Sequence, residues 1–206
     1  MDQTATVHII DDDESMRRAV AALLRSVGIA SQSYDSCSTF LAASLADEPA
    51  CLLLDVRLPG TSGLDFQQQL AGHGIHLPVI MITGHGDVPM SVQAMKAGAI
   101  DFLTKPFRDQ DLLDAVATAL ERDRKRRAET GELSALSARY EALSLREKQV
   151  MGLVTAGRLN KQAAFDLGLS EITVKLYRAS AMKKMEARTL ADLVKMAERL
   201  KIGMPG

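Results

Sequence analysis

A short apolar run that ends in an aspartate limits the folds open to this 206-residue chain. Residues 51–54 read Cys-Leu-Leu-Leu, Asp55 follows them directly, and Pro59 and Gly60 come soon after. An uninterrupted apolar run of this kind predicts a strand buried on both faces, as in a parallel sheet with helices above and below. Such sheets bind ligands outside the carboxyl ends of their strands. Asp55 is therefore predicted to lie at the functional edge of a sheet.

Strand-like and helix-like segments alternate through the first 120 residues. Besides the run at Asp55, strand-like segments cover residues 5–10, 30–33, 78–83 and 99–104. Helical patterns cover residues 15–27, 36–46, 62–70, 87–97 and 109–120. This alternation predicts an α/β fold, a doubly wound five-stranded parallel sheet with right-handed crossovers.

The two parts of the chain carry opposite charge. Residues 1–120 hold 7 Lys and Arg against 15 Asp and Glu, a net charge of −8, whereas residues 121–206 hold 18 against 11, a net of +7. One interpretation is an acidic module that handles metal or phosphate, joined to a module that meets a polyanion. The other is chance variation between two solvated surfaces. The domains expected are 1–121, a helical linker over 122–142, and a small all-α domain over 143–206.

Cysteine content and hydropathy indicate the cellular compartment. Cys37 and Cys51 lack the spacing of a disulfide framework or a zinc site, so we expect reduced thiols. No apolar run approaches the roughly 20 residues that a membrane helix needs. We therefore expect a cytoplasmic protein.

Polar residues follow four of the predicted strands. Acidic residues 11–14 come after the first strand, Asp55 ends the central one, Thr83 ends the next, and Lys105 follows the last. Aspartates near a helix start commonly cap it, and one or two of the acids could do so. The rest are predicted to hold a cation. Carboxylates with water and a phosphate oxygen form a site suited to Mg²⁺.

This combination predicts phosphoryl chemistry. Asp55 stands alone on the central strand and is the expected nucleophile, which would form an acyl phosphate. Lys105 would place a positive charge on a phosphate oxygen, and the Thr83 hydroxyl would donate a hydrogen bond to another. A cation would offset the repulsion between the phosphoryl group and the carboxylates.

Residues 5–120 resemble the receiver domain of two-component response regulators. The resemblance rests on Asp11-Asp12, Asp55, Thr83 and Lys105-Pro106, and the stretches 83–90 and 95–99 are similar to the FixJ branch. It implies phosphorylation of Asp55 by a sensor histidine kinase and a cis bond before Pro106.

The resemblance also implies further roles. Mg²⁺ would be held by Asp11 and Asp12, chosen over Asp13, together with Asp55 and the backbone carbonyl of Arg57. Thr83 and Phe102 would form a switch pair. A separate hypothesis has Arg57 and His85 shield the phosphoryl group from water.

The predicted linker allows several interpretations. Residues 121–127 are almost wholly charged, which is typical of a solvated helix or linker, although a role in gripping phosphate stays open. Leu133, Leu136, Tyr140 and Leu143 form a short heptad-like seam that either docks on the following domain or supports a dimer. Gly131 is a possible hinge.

Short helices with clear caps fill the basic part. Ser144 to Glu147 form a capping box, and Asn160, Ser170 and Thr189 are predicted to cap three further helices. A third helix over 171–185 that is rich in Lys and Arg favours helix-turn-helix, although an ordinary small helical bundle would show similar spacing.

Residues 143–201 resemble the LuxR/FixJ-type DNA-binding domain. The matching motifs are Asn160-Lys161, Leu167-Gly168-Leu169-Ser170, Thr173-Val174-Lys175 and Met182 to Met185. The resemblance implies a recognition helix in the major groove, with Lys175 and Tyr177 reading base edges. The candidate DNA-binding residues are Lys161, Thr173, Lys175, Leu176, Tyr177, Arg178, Lys183 and Lys184. Ala163 and Tyr177 depart from the usual pattern, in which a branched apolar residue and His are common.

Together these features predict a FixJ-like response regulator rather than an enzyme. Phosphorylation at Asp55 would control promoter binding, through a homodimer and with RNA polymerase as a further partner. A phosphohydrolase is a rival, but such enzymes usually carry a second acid two residues after the nucleophile, where Arg57 stands here. A protein or RNA target for the basic part is the second rival.

Overall fold

The computed structural model describes residues 5–84 and 88–202 of the chain. The chain divides into two compact units, residues 1–127 and residues 128–206, and each is described by itself. Within the described residues, no helix is long and apolar enough to cross a membrane.

The first unit is a parallel sheet with helices on both faces. Its strands are β1 (Thr6–Ile10), β2 (Ala30–Tyr34), β3 (Ala50–Asp55), β4 (Val79–Thr83) and β5 (Asp101–Thr104). Its helices are α1 (Glu14–Ser26), α2 (Cys37–Ala42), α3 (Gly63–Gln69), α4 (Val88–Lys96) and the first part of α5 (Asp109–Glu141), and a 3₁₀ turn spans Leu70–His73. The strand order is β2-β1-β3-β4-β5, all parallel, which confirms the predicted five-stranded fold.

The sheet separates two apolar clusters. On one face Leu53 and Ile80 pack against α1 and α5, and on the other Leu52 and Leu54 pack against α2, α3 and α4. Every residue of β3 is buried, because this central strand has a helix layer above and below it. The unbroken apolar run before Asp55 therefore reflects burial of the strand on both faces, as predicted.

Helix α5 differs from the predicted helix. It continues beyond Leu120 to Glu141, and Gly131 lies inside it rather than at a break. The charged stretch 121–127 is not uniformly solvated, because Asp123 is fully buried against the start of β3. The Asp123 carboxylate in this charged stretch therefore faces inward, and it binds Arg126 and Arg127 of the same helix.

The second unit is wholly helical in its described part. After the end of α5 it comprises α6 (Leu145–Thr155), α7 (Asn160–Leu167), α8 (Glu171–Met185) and α9 (Leu190–Arg199). Ser144, Ser170 and Thr189 cap α6, α8 and α9 as predicted. The cap predicted at Asn160 is wrong: Leu159 precedes the helix, and its backbone N–H donates to the Gln162 side chain.

The core of this unit includes three of the four residues of the seam predicted in the linker, while Leu133 is exposed. Leu136 and Leu143 are buried in one cluster with Val150 and Val174, and Tyr140 packs against that cluster. Of the two interpretations of the seam, docking on the following helices is the one that the structure supports within this unit. Ala163 is fully buried in the same cluster, so its small side chain is accommodated there.

Candidate functional site

The sheet register brings the predicted acids together. Ile10 lies beside Leu54, so Asp11, one position on, flanks Asp55 at the carboxyl edge. Asp55 lies beside Ile82, and Thr83 is the next residue of that neighbouring strand. Asp11, Asp55 and Thr83 are buried, Thr83 completely. Three strand ends therefore place their polar groups in one crevice, as the parallel sheet requires.

Lys105 joins the two buried carboxylates. Its Nζ donates to Asp11 Oδ2 and to Asp55 Oδ2, each at 2.6 Å. Burial raises the pKa of Asp11, and the hydrogen bond from Lys105 only partly offsets this. Burial alone would lower the pKa of Lys105, but its hydrogen bonds to Asp11 and Asp55 raise it. The ammonium therefore stays charged between two carboxylates.

The four acids after β1 divide their roles. Asp13 caps helix α1, accepting from the backbone N–H of Ser15 at 2.8 Å and of Met16 at 3.4 Å. Glu14 pairs with Arg18 on the surface. One carboxylate oxygen from each of Asp11, Asp12 and Asp55 lies within 4.8 Å of the other two. Asp13 thus caps the helix, while Asp11 and Asp12 lie close enough to Asp55 to share a cation.

Asp55 is fixed by its own loop. Its Oδ1 accepts a hydrogen bond of 2.8 Å from the Arg57 backbone N–H. Arg57 is exposed and forms an isolated antiparallel bridge with Ser62, next to the start of α3. The metal-binding role given to its carbonyl, and the shielding role given to its side chain, stay predictions. His85 lies outside the described residues.

Gly63 is a positioning residue that sequence reasoning missed. A Cβ atom built on it would lie 2.2 Å from the backbone oxygen of Asp55, closer than any real contact. Its N–H donates to the Val56 carbonyl at 2.9 Å, which holds the start of α3 against the end of β3. Only glycine fits here, and its place just after Ser62 at the helix start was the one available signal.

The predicted switch residues lie on neighbouring strands. Phe102 lies beside Met81 in the register, two residues before the pair formed by Thr83 and Thr104. It is partly buried and packs against the apolar cluster on the side of α2, α3 and α4. The bond between Lys105 and Pro106 is cis, which confirms that expectation.

The second unit holds a helix-turn-helix. Helix α7 ends at Gly168, whose φ of +65° is the left-handed conformation that glycine favours, and α8 begins after the Ser170 cap. Val174, Ala181 and Met185 of α8 are fully buried and seat this helix on the domain core. The side of α8 that bears Ile172, Leu176, Ala179 and Lys183 is exposed.

The candidate DNA-binding residues have different surroundings. Lys161, Lys175, Leu176 and Lys183 are exposed, while Thr173, Tyr177 and Arg178 are partly buried. Lys175 pairs with Glu171 at 3.0 Å, Arg178 donates to Asn160 at 3.4 Å, the Thr173 and Ser170 hydroxyls share a hydrogen bond of 2.8 Å, and Tyr177 packs against the core. Their contacts with DNA stay predictions.

A buried carboxylate anchors the far end of α8. Glu147 accepts hydrogen bonds from Lys184 Nζ at 2.7 Å, from the Ser180 hydroxyl at 2.6 Å and from the Ser144 backbone N–H at 2.6 Å. The bonds from Lys184 and Ser180 lower the pKa of Glu147 from its ordinary 4.5 to about 2. Lys184 is thus a structural residue of the domain as well as a candidate for DNA contact.

Comparison with known proteins assigns both units. The family described as response regulator receiver domain matches residues 7–117, and the family described as bacterial regulatory proteins, luxR family, matches residues 141–197. The chain therefore belongs to the response regulators of the NarL/FixJ type. Members of this class are phosphorylation-dependent transcription regulators and not enzymes, which excludes the rival prediction of a phosphohydrolase.

Particular relatives are similar over nearly the whole chain. Nodulation protein W of Bradyrhizobium diazoefficiens is 56% identical over 96% of this chain and 87% of its own length. Transcriptional regulatory protein FixJ of Azorhizobium caulinodans is 44% identical over 96% and 93%. The solved structure of the response regulator StyR has 43% identity and a TM-score of 0.83, and covers 95% of this chain and 99% of StyR.

Proposed function

We propose that this regulator accepts a phosphoryl group on Asp55 from the phosphohistidine of a sensor histidine kinase, and that phosphorylation controls its binding to promoter DNA. The observation that carries the proposal is the bridge from Lys105 Nζ to Asp11 and Asp55, at 2.6 Å to each. The partly buried Lys105 ammonium thus places a cation directly beside the buried Asp55 carboxylate, the proposed nucleophile.

In the proposed transfer an Asp55 oxygen forms a bond to phosphorus while the P–N bond to the kinase histidine breaks. The electron pair of that bond leaves with the imidazole nitrogen. Asp55 Oδ1 is held by the Arg57 N–H and Oδ2 by Lys105, so the carboxylate is oriented before the donor arrives. Lys105 then turns from the carboxylate to a phosphoryl oxygen, and the Thr83 hydroxyl donates a hydrogen bond to another phosphoryl oxygen.

Mg²⁺ suits the carboxylates at this edge. Asp11, Asp12 and Asp55 offer oxygen ligands within 4.8 Å of one another, the donor type that this ion prefers. We propose that these three residues and the Arg57 carbonyl hold it. When bound, the ion neutralises charge on the phosphoryl oxygens.

Thr83 and Phe102 are proposed to carry the signal away from Asp55. The fully buried Thr83 hydroxyl would shift toward the phosphoryl group, and the partly buried Phe102 ring would turn into the space released. Because one recognition helix reads a short site, we propose that the phosphorylated protein binds two half-sites as a homodimer and meets RNA polymerase at the promoter.

The test is phosphorylation of the full chain with labelled acetyl phosphate and Mg²⁺, followed by footprinting on genomic promoter fragments. We expect one label per chain, none in Asp55→Asn, and normal uptake in the matched control Asp65→Asn, whose carboxylate is exposed. Protected fragments should be bound more tightly by the phosphorylated protein. Equal labelling of the Asp55→Asn variant would overturn the assignment of the acceptor.

A further inference from the structure

The outward face of helix α8 is apolar over its first half. Ile172 and Leu176, one turn apart, are 72% and 67% exposed. Ala179 and Lys183 are exposed as well. With about 100° of rotation per residue, these four positions lie within about 60° of one another and form one stripe along the helix.

The stripe points away from the domain core. Val174, Ala181 and Met185, on the opposite side, are fully buried and fix the rotation of α8 about its axis. Tyr177, predicted from the sequence as a base reader, lies on the flank of that buried side and packs against the core cluster. The residues best placed to enter a groove are therefore Ile172 and Leu176.

The polar neighbours of the stripe already have partners within the domain. Lys175 is paired with Glu171, and the Thr173 hydroxyl is bonded to Ser170 at the helix cap. Arg178 donates to Asn160 of α7. These three polar side chains thus already bind groups of the domain, whereas the aliphatic side chains of Ile172 and Leu176 are exposed.

We propose that Ile172 and Leu176 read the 5-methyl groups of thymines in the major groove, and so set an A·T preference within each half-site. The inference rests on the proposed binding of DNA by α8. Thymine is the one base with a methyl group in that groove, and aliphatic side chains recognise it by contact. DNA is the occupant favoured by charge, because Lys183 in the stripe, Lys175 next to it on α8 and Lys161 on α7 are exposed.

The experiment uses the full chain, activated with beryllofluoride, and a duplex selected from a randomised oligonucleotide pool. Each thymine of the selected site is replaced in turn by deoxyuridine, which lacks only the methyl group. We expect at least one position in each half-site to lose about fourfold in affinity, the effect of one buried methyl-sized group. Substitution at the flanks should change nothing.

Alanine variants test whether Ile172 and Leu176 cause the loss of affinity on deoxyuridine substitution. In Ile172→Ala or Leu176→Ala the loss caused by deoxyuridine should shrink below about twofold at the matching position. Leu145→Ala is the matched control, since Leu145 is also 72% exposed but lies on α6, and it should keep the full loss. Both test side chains are exposed, so truncation leaves the core intact, which thermal unfolding checks.

Two results would count against this inference and one against the proposed function. If a site is selected but deoxyuridine has no effect anywhere, or if the effect persists in both α8 variants, the thymine readers are not Ile172 and Leu176. If no sequence is selected from the pool, the proposed promoter binding fails, and this inference fails with it.

Discussion

The Asp123 carboxylate accepts a hydrogen bond of 3.0 Å from the Ala50 backbone N–H, although 73 residues separate the two. Ala50 begins β3, the strand that ends at Asp55. Asp123 also binds Arg126 and Arg127, and Arg127 reaches Asp47. Burial alone would raise the pKa of Asp123, but the bonds from Arg127, Arg126 and Ala50 lower it. A buried carboxylate therefore ties α5 to the strand that bears Asp55.

Asp123→Asn should destabilise the first unit by about 2–3 kcal/mol, because it removes charge-assisted hydrogen bonds and leaves two guanidinium groups without their shared carboxylate. Hydrogen exchange at the Ala50 amide should accelerate in the folded protein. Asp114→Asn, an exposed change on the same helix, is the control and should behave as the parent. Unchanged exchange at Ala50 would show that the Asp123 bond does not hold the strand.

Gly63→Ala should impair phosphorylation of Asp55. The added Cβ cannot occupy a position 2.2 Å from the Asp55 backbone oxygen, so the end of β3 or the start of α3 must move. A displacement near 1 Å at the acceptor should slow uptake of label from acetyl phosphate by about tenfold or more. Gly72→Ala meets nothing within 4 Å and is the control. Parent-like labelling of the Gly63 variant would contradict this positioning role.

Glu147 should make the second unit sensitive to acid. Its pKa is about 2 in the folded chain against an ordinary 4.5, so its contribution to stability is present above about pH 4.5 and is lost as the pH falls toward 2. Glu147→Gln should be less stable at pH 7 by about 1–3 kcal/mol, and the gap should narrow in acid. Circular dichroism during urea unfolding at several pH values measures it. If the difference in free energy of unfolding between the parent and Glu147→Gln does not change with pH, ionisation of Glu147 is not its cause.

Asp11→Asn should slightly stabilise the first unit at neutral pH while weakening its function. Burial holds the folded-state pKa of Asp11 above its ordinary value, so ionisation of this carboxyl opposes folding as the pH rises past 3.8. Asp12→Asn, at an exposed position, is the comparison, and urea midpoints at pH 7 give the result. A lower midpoint for the Asp11 variant would reverse the inferred sign.

Strands β1, β3 and β4 were predictable because they are largely apolar and buried throughout. Their apolar runs placed them within one residue of their observed limits, and the polar residue at the end of each run, Asp11, Asp55 or Thr83, marked the edge of the sheet. The end of α5 was not predictable in this way. Residues 121–127 contain no glycine or proline to stop a helix, and a run of charges gives no sign that one of them, Asp123, faces inward.

The site was only partly predictable, because the sequence pattern does not show tertiary contacts. Residue type and strand position suggested Asp55, Thr83 and Lys105, but the close approach of Gly63 to Asp55 depends on tertiary geometry. The orientation of α8 had a usable signal, since Val174, Ala181 and Met185 repeat at helical spacing and imply that Ile172 lies opposite them. Resemblance to a motif favoured Tyr177 instead.

The Cys51 thiol lies on β3 four residues before Asp55, fully enclosed, and burial raises its pKa to about 12. We expect the Cys51 thiolate to react with an alkylating reagent only when the central strand separates from its neighbours, whereas the partly buried Cys37 should react earlier. The alkylation rate of Cys51 in the native protein should therefore report how often the sheet opens locally. That rate should fall when a ligand at the strand ends stabilises the closed sheet.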